Sequence, residues 1–264
     1  MNMDNIYLKP GEKPLDTLVT DGGFVGIFRK IACVGDSLSS GEFQAYSILD
    51  GSNLYVDRFD YSWGQYLARM AGCTVYNFSR GGMTAKEYVE SFANNNGFWQ
   101  RDLAANAYII ALGVNDLFNR KWELGSLQDV CLEDRTKNGK TFIGYYAYII
   151  QRYKEIQPDA RFFLVTVPRS GRNAEIATAM RDALYGIAQM FDNTYVIDLY
   201  EHAPVYDDEF RKNFYLGGHM NPAGYLFTAK IIASYIDYIV RQDFPSFSTV
   251  GMMGYDYDLK PKQQ

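Results

Sequence analysis

Five short apolar runs, at 31–34, 74–78, 107–112, 161–167 and 195–199, constrain this chain more than any other feature. They do not alternate polar with apolar, so they read as strands buried on both faces rather than strands with one wet face. Helical patterns lie between them. Over 173–191 the residues Ile176, Met180, Leu184, Ile187 and Phe191 share one face. Over 142–157 the stripe is Phe142, Tyr146, Ile149, Ile150, Tyr153 and Ile156. Both follow the 3.6-residue period. A last helix starts at Asn221, a capping residue. Pro222 takes its first position, where a missing N–H costs nothing. Its stripe is Leu226, Ala229, Ile232, Ile236 and Ile239. Strand–helix alternation of this kind builds βαβ units. The expected fold class is α/β, a flavodoxin-like three-layer α/β/α sandwich with a five-stranded parallel sheet.

With 264 residues, 47% of them hydrophobic, the chain can bury one full core. The expected organisation is an N-terminal extension over 1–29, the main domain over 30–242 and a C-terminal tail over 243–264. A charged, turn-rich insertion is expected at about 118–140, with Gly125 and Gly139 in it. The tail carries Phe244, Phe247, Met252, Met253, Tyr255 and Tyr257, too many apolar residues for a free end. It is expected to dock on the body of the protein.

Charge and cysteine usage exclude several function classes. A net charge of −5 without a basic cluster argues against nucleic acid as a partner. No stretch reaches the ~18–20 uninterrupted apolar residues of a membrane span. The first ten residues lack a basic segment followed by an apolar one, so no secretory signal is read and a cytoplasmic location is expected. Cys33, Cys73 and Cys131 are odd in number and suit reduced thiols. With two histidines, His202 and His219, and no Cys-x-x-Cys, no metal site and no cofactor are expected.

In open parallel sheets ligands bind beyond the carboxyl ends of the strands. Gly35-Asp36-Ser37-Leu38 follows the first run, and Asn77 to Thr84 closes and follows the second. Gly113-Val114-Asn115-Asp116 follows the third, and Gly217-Gly218-His219-Met220 precedes the last helix. Together they suit acyl transfer. Ser37 offers a hydroxyl that needs a base, and His219 can be that base near neutral pH. The N–H groups of Ser37 and Gly82, with the Asn115 amide, could form an oxyanion hole. Glycine at position 82 permits close backbone approach. Asp36, Asn77 and Asp116 read as structural. Arg80 reads either as an anion contact or as half of a surface salt bridge, Trp63 as core, and Trp122 as a pocket wall.

These segments, in this order, resemble the SGNH (GDSL-type) hydrolase superfamily over about residues 31–240. The resemblance implies Ser37 as nucleophile, Gly82 and Asn115 in the oxyanion hole and His219 as base. It implies an esterase, lipase or deacetylase acting without a metal, on a small-molecule or carbohydrate ester. Two departures stand out. Ser79 occupies a position that is often glycine. Leu216 stands three residues before His219, where the family commonly has its acid. The third triad member is therefore unassigned at this level, with Asp207, Asp208 or Glu209 as possible sources. Other readings are a flavodoxin-like ligand-binding module and a catalytically degenerate binder of the same fold. Oligomeric state is left open.

Overall fold

The computed structural model describes residues 7–255. Tyr257, one of the apolar tail residues, lies outside them. In chain order the strands are β1 (Lys30–Gly35), β2 (Glu42–Tyr46), β3 (Asn53–Asp57), β4 (Thr74–Ser79), β5 (Ala107–Ala111), β6 (Arg161–Val165) and β7 (Thr194–Ile197), followed by the two-residue strands β8 (Tyr215–Leu216) and β9 (His219–Met220). Five of them form one parallel sheet in the order β4-β1-β5-β6-β7. These five correspond to the five apolar runs. Three end earlier than the runs do, β5 by the single residue Leu112. Thr166 follows β6 in irregular backbone, its Oγ1 taking the N–H of Tyr200 (3.0 Å). Asp198 follows β7 and caps the turn Leu199–His202.

Successive strand residues point to opposite faces. Ile31, Cys33, Ile109, Phe163 and Ile197 join one buried layer with helices Trp63–Ala71 and Pro222–Gln242. Ala32, Val34, Tyr108, Ile110, Phe162 and Leu164 join the other with helices Phe142–Ile156 and Ala174–Met190. The result is the α/β/α sandwich expected from the sequence. Side-chain caps start the helices: Thr141, Asn173 and Asn221 accept the N–H of Gly144, Ile176 and Gly224. No helix among the described residues is long and apolar enough to cross a membrane.

Two features were not visible as patterns. The segment 42–57 forms an antiparallel β2–β3 hairpin, although its polar–apolar alternation is confined to Glu42–Ala45 and β3 is exposed throughout. Helix Pro222–Gln242 is buried on nearly every side rather than along one stripe. Its outer face is covered by the chain before β1, where Val19 N–H donates to Ser234 Oγ (2.9 Å) and Phe24 N–H to Asp237 Oδ1 (2.9 Å). In the tail, Phe247 is buried in the core and Phe244 meets Phe24 edge-on.

Candidate active site

The site begins where the strand order reverses. Chain order runs outward from β1 on both sides, to β4 on one and to β5 on the other. Connections leaving β1 and β5 therefore diverge and open a crevice at their carboxyl ends. At the end of β1, Asp36 Oδ1 accepts the N–H of Leu38 (3.1 Å) and caps a single turn, Ser37–Ser40. Ser37 is its first residue, half-buried, and its N–H has no acceptor among the described residues. Asp36 is 5% exposed. Burial pushes its pKa up to about 6, opposed by the Leu38 N–H and the Arg172 guanidinium.

The end of β4 is tied to β1 through Ser79, whose Oγ donates to the Cys33 carbonyl (2.7 Å). A serine thus serves where glycine is common. Gly82 then takes a left-handed φ of 70°, open to glycine without strain. Its N–H also lacks an acceptor among the described residues.

After β5 the chain makes a π-helical turn, Val114–Asn119. The Asn115 amide donates one N–H to the Met83 carbonyl (3.1 Å), and its oxygen accepts from Asn119 Nδ2 (2.8 Å). An amide has two N–H groups, so one remains for a ligand. Asn119, which fixes this orientation, carried no sequence signal beyond its spacing of four from Asn115. Asp116 is fully buried and accepts the Ala85 N–H (2.9 Å), and burial raises its pKa to about 7.

His219 sits on β9, held by neighbours on both sides. Gly218 N–H donates to Gln44 Oε1 on β2 (2.5 Å), and Tyr55 on β3 meets the imidazole edge-on. Its Nε2 lies 3.0 Å from Glu42 Oε1, a close contact but not an aligned hydrogen bond. Its Nδ1 is buried with no hydrogen-bond partner. Burial lowers the His219 pKa, against the pull of the Asp57 carboxylate. Burial, with the charges of Asp57 and Asp36, raises that of Glu42.

Asp207, Asp208 and Glu209 do not fill the missing acid's place. Asp207 caps helix Asp208–Phe214 through the Phe210 N–H (2.9 Å), all three side chains are exposed, and none pairs with His219. Glu42 was missed in the sequence because nothing local marks it; only folding brings β2 to β9.

Ser37, Gly82, Asn115 and His219 line one cleft of about 280 Å³. No hydrogen bond joins Ser37 Oγ to His219. Catalytic contacts are often long in unliganded sites and tighten on binding. His202 lies elsewhere, in the turn after β7 against Tyr235. Arg80 pairs with Glu87 (2.5 Å); the cation in the cleft is Arg172. An apolar cavity of about 80 Å³ adjoins the cleft, sharing Asp36, Leu38, Val114, Arg172 and Tyr215 with it. Trp122 and Phe118 line a further hollow, which shares Asn119 and Arg172 with the cleft. Among the described residues no group of three or more His, Cys, Asp or Glu is placed to hold a metal ion.

Fold and cleft together define an SGNH-type α/β hydrolase architecture. Residues 33–226 match the model of the GDSL-like lipase/acylhydrolase family, and the chain belongs to that family of ester hydrolases. Solved structures agree on the fold. A family two carbohydrate esterase from Clostridium thermocellum, in complex with cellohexaose, superposes with a TM-score of 0.55 at 14% identity. That match covers 83% of this chain and 65% of the esterase. An acetyl xylan esterase from Butyrivibrio proteoclasticus gives 0.52 at 16% identity, covering 83% and 64%. A family 3 carbohydrate esterase from Clostridium thermocellum gives 0.50 at 18% identity, covering 81% and 97%. This chain thus spans somewhat under two thirds of the first two relatives. No curated protein sequence matches it significantly.

Proposed function

We propose that the protein is a serine-dependent carboxylic-ester hydrolase, with Ser37 as nucleophile and His219 as base, acting on acylated carbohydrate. One observation carries the reading. Four residues from four distant segments share one cleft, and three of them bring N–H groups without a protein acceptor. Unpaired donors facing a cleft are costly unless water or a ligand takes them up. Here they lie beside a serine at a strand end, where an oxyanion would form.

In this mechanism Ser37 Oγ attacks the ester carbonyl while His219 takes its proton. The carbonyl π pair moves onto oxygen, which the Ser37, Gly82 and Asn115 donors stabilise. Collapse expels the alcohol, which receives the proton from His219, and leaves an acyl-serine. Water, deprotonated by the same imidazole, then releases the acid and restores Ser37. Support for a carbohydrate alcohol comes from the three esterases of similar fold and from the aromatic hollow beside the cleft.

The test is turnover of p-nitrophenyl acetate and acetylated xylo-oligosaccharides, with labelling by a fluorophosphonate. Ser37→Ala should abolish both turnover and labelling, and His219→Ala should lower turnover by at least about 100-fold. A wild-type protein that neither labels nor turns over any ester refutes the mechanism. Labelling that persists in Ser37→Ala refutes the choice of nucleophile.

A further inference from the structure

We propose that Glu42 is the acid partner of His219, a positioning residue delivered by β2 in place of the carboxylate absent at position 216. This rests on the roles given above to Ser37 and His219.

Position 216 cannot supply the acid. Leu216 pairs directly with His219 across the β8–β9 hairpin, and its side chain is 49% exposed. Among the described residues no backbone carbonyl bonds either ring nitrogen, so that substitute for an acid is also missing. Glu42 Oε1, 3.0 Å from Nε2, is the one acceptor in reach among the described residues. Both side chains are 15% exposed, so water screens the contact only partly.

The surroundings hold Glu42 in this place. Tyr225 OH donates to its backbone carbonyl (2.6 Å), tying β2 to the last helix. Two residues further on, Gln44 takes the N–H of Gly218, the residue before the histidine. β2 therefore grips both the helix behind the base and the turn that carries it. Gly81 leaves room for the other carboxylate oxygen, since a Cβ there would stand 2.2 Å from Glu42 Oε2.

The chemistry follows from the two nitrogens. With Nε2–H turned to Glu42, Nδ1 carries the lone pair, and Nδ1 is the nitrogen without a partner. In the proposed assignment it is the nitrogen left to take the Ser37 proton. The imidazolium so formed is stabilised by the Glu42 carboxylate, which takes no proton itself. The other charged and titratable groups around the pair are Asp57 on β3, Asp36 after β1, Arg172, Tyr55 and Tyr215. Asp57 is held by Ser40 Oγ (2.6 Å).

Glu42→Gln keeps the shape and an accepting oxygen but removes the charge. We expect kcat on p-nitrophenyl acetate to fall about 100-fold with KM changed by less than about threefold. The ascending limb of kcat/KM against pH should move about one unit lower, because the imidazolium loses its counter-charge. A purely structural role would leave that limb in place. Glu42→Asp should keep the wild-type limb with an intermediate kcat. Leu216→Asp, added to Glu42→Gln, should recover at least about tenfold, since it returns a carboxylate beside His219. A Glu42→Gln protein with kcat within about threefold of wild type and an unmoved limb overturns the assignment. Should Glu42→Gln fail to fold, a Glu42→Asp limb that shifts as a neutral residue would shift it overturns it equally. An active wild type with an active Gln variant refutes Glu42 alone, whereas a wild type inert to esters and to the fluorophosphonate refutes the hydrolase reading itself.

Discussion

Asn115→Ala is the sharpest probe of the oxyanion hole. The substitution removes two N–H groups, together with the oxygen that accepts from Asn119. One is the N–H already spent on the Met83 carbonyl, a bond that fixes the side chain. The other is the N–H left for the substrate oxyanion. Losing the first costs about 1 kcal/mol of folding stability, the usual net value of such a bond. Losing the second costs about 2.7–4 kcal/mol of transition-state stabilisation, or about 100- to 1000-fold in kcat. The two effects separate by measurement: thermal unfolding reports the first, and initial rates on p-nitrophenyl acetate report the second. KM should change little, because a ground-state carbonyl draws less on the donor than an oxyanion does. Asn119→Ala is the companion. It leaves the Asn115 amide in place but frees its oxygen from the 2.8 Å contact that orients it. Its effect should be about five- to tenfold on kcat, the scale of one lost neutral hydrogen bond. An Asn115→Ala enzyme within fivefold of wild type in kcat refutes the donor role, whatever its stability.

Two further predictions concern the buried groups around the cleft. Asp116 has its pKa raised from 3.8 to about 7, so the native protein keeps a proton that the unfolded chain releases. Its ionisation in the unfolded chain therefore weakens the fold progressively as pH rises from about 4 to about 7, by up to roughly 4 kcal/mol. Asp116→Asn should gain stability over wild type at pH 8 relative to their difference at pH 4 in urea titrations; a difference that stays constant with pH contradicts the assigned environment. The apolar cavity beside the cleft predicts that acyl chains longer than acetyl are accepted, and Val165→Phe, which fills it, should cut kcat/KM for p-nitrophenyl butyrate at least about tenfold more than for the acetate. Equal loss on both esters would place the acyl chain elsewhere.

What the sequence revealed and what it hid divide along a physical line. The five sheet strands were legible because burial on both faces favours mostly apolar runs, and Phe162–Val165 of β6 show this plainly. That Ser37, Gly82, Asn115 and His219 meet at one cleft was legible because each sits where the topology must place it, after a strand end or before the capped last helix. Glu42 and Asn119 were not, because their contacts arise from tertiary approach. The β2–β3 hairpin has only the four-residue alternation Glu42–Ala45 to announce it, and its strand β3 faces solvent along its whole length. The same holds for the cover over helix Pro222–Gln242, which is fastened by backbone N–H groups reaching Ser234 and Asp237.

The absence of an acid at position 216 therefore does not by itself mark a failed enzyme. A triad is a set of positions in space, and chain order places no constraint on which element fills each one. In this chain the connection from β1 to β4 is long enough to send a hairpin out and back beside the histidine turn. That hairpin already holds the turn through Gln44, so a carboxylate two residues away on the same face of β2 is brought to the imidazole by the same approach. If this is why the acid could be lost at 216, grip and charge are separable. Gln44→Ala should loosen the turn and raise KM and the mobility of His219 while leaving the pH limb of kcat/KM near its wild-type position. Glu42→Gln should do the reverse. Identical kinetic signatures for the two variants would mean that β2 serves His219 only as scaffolding.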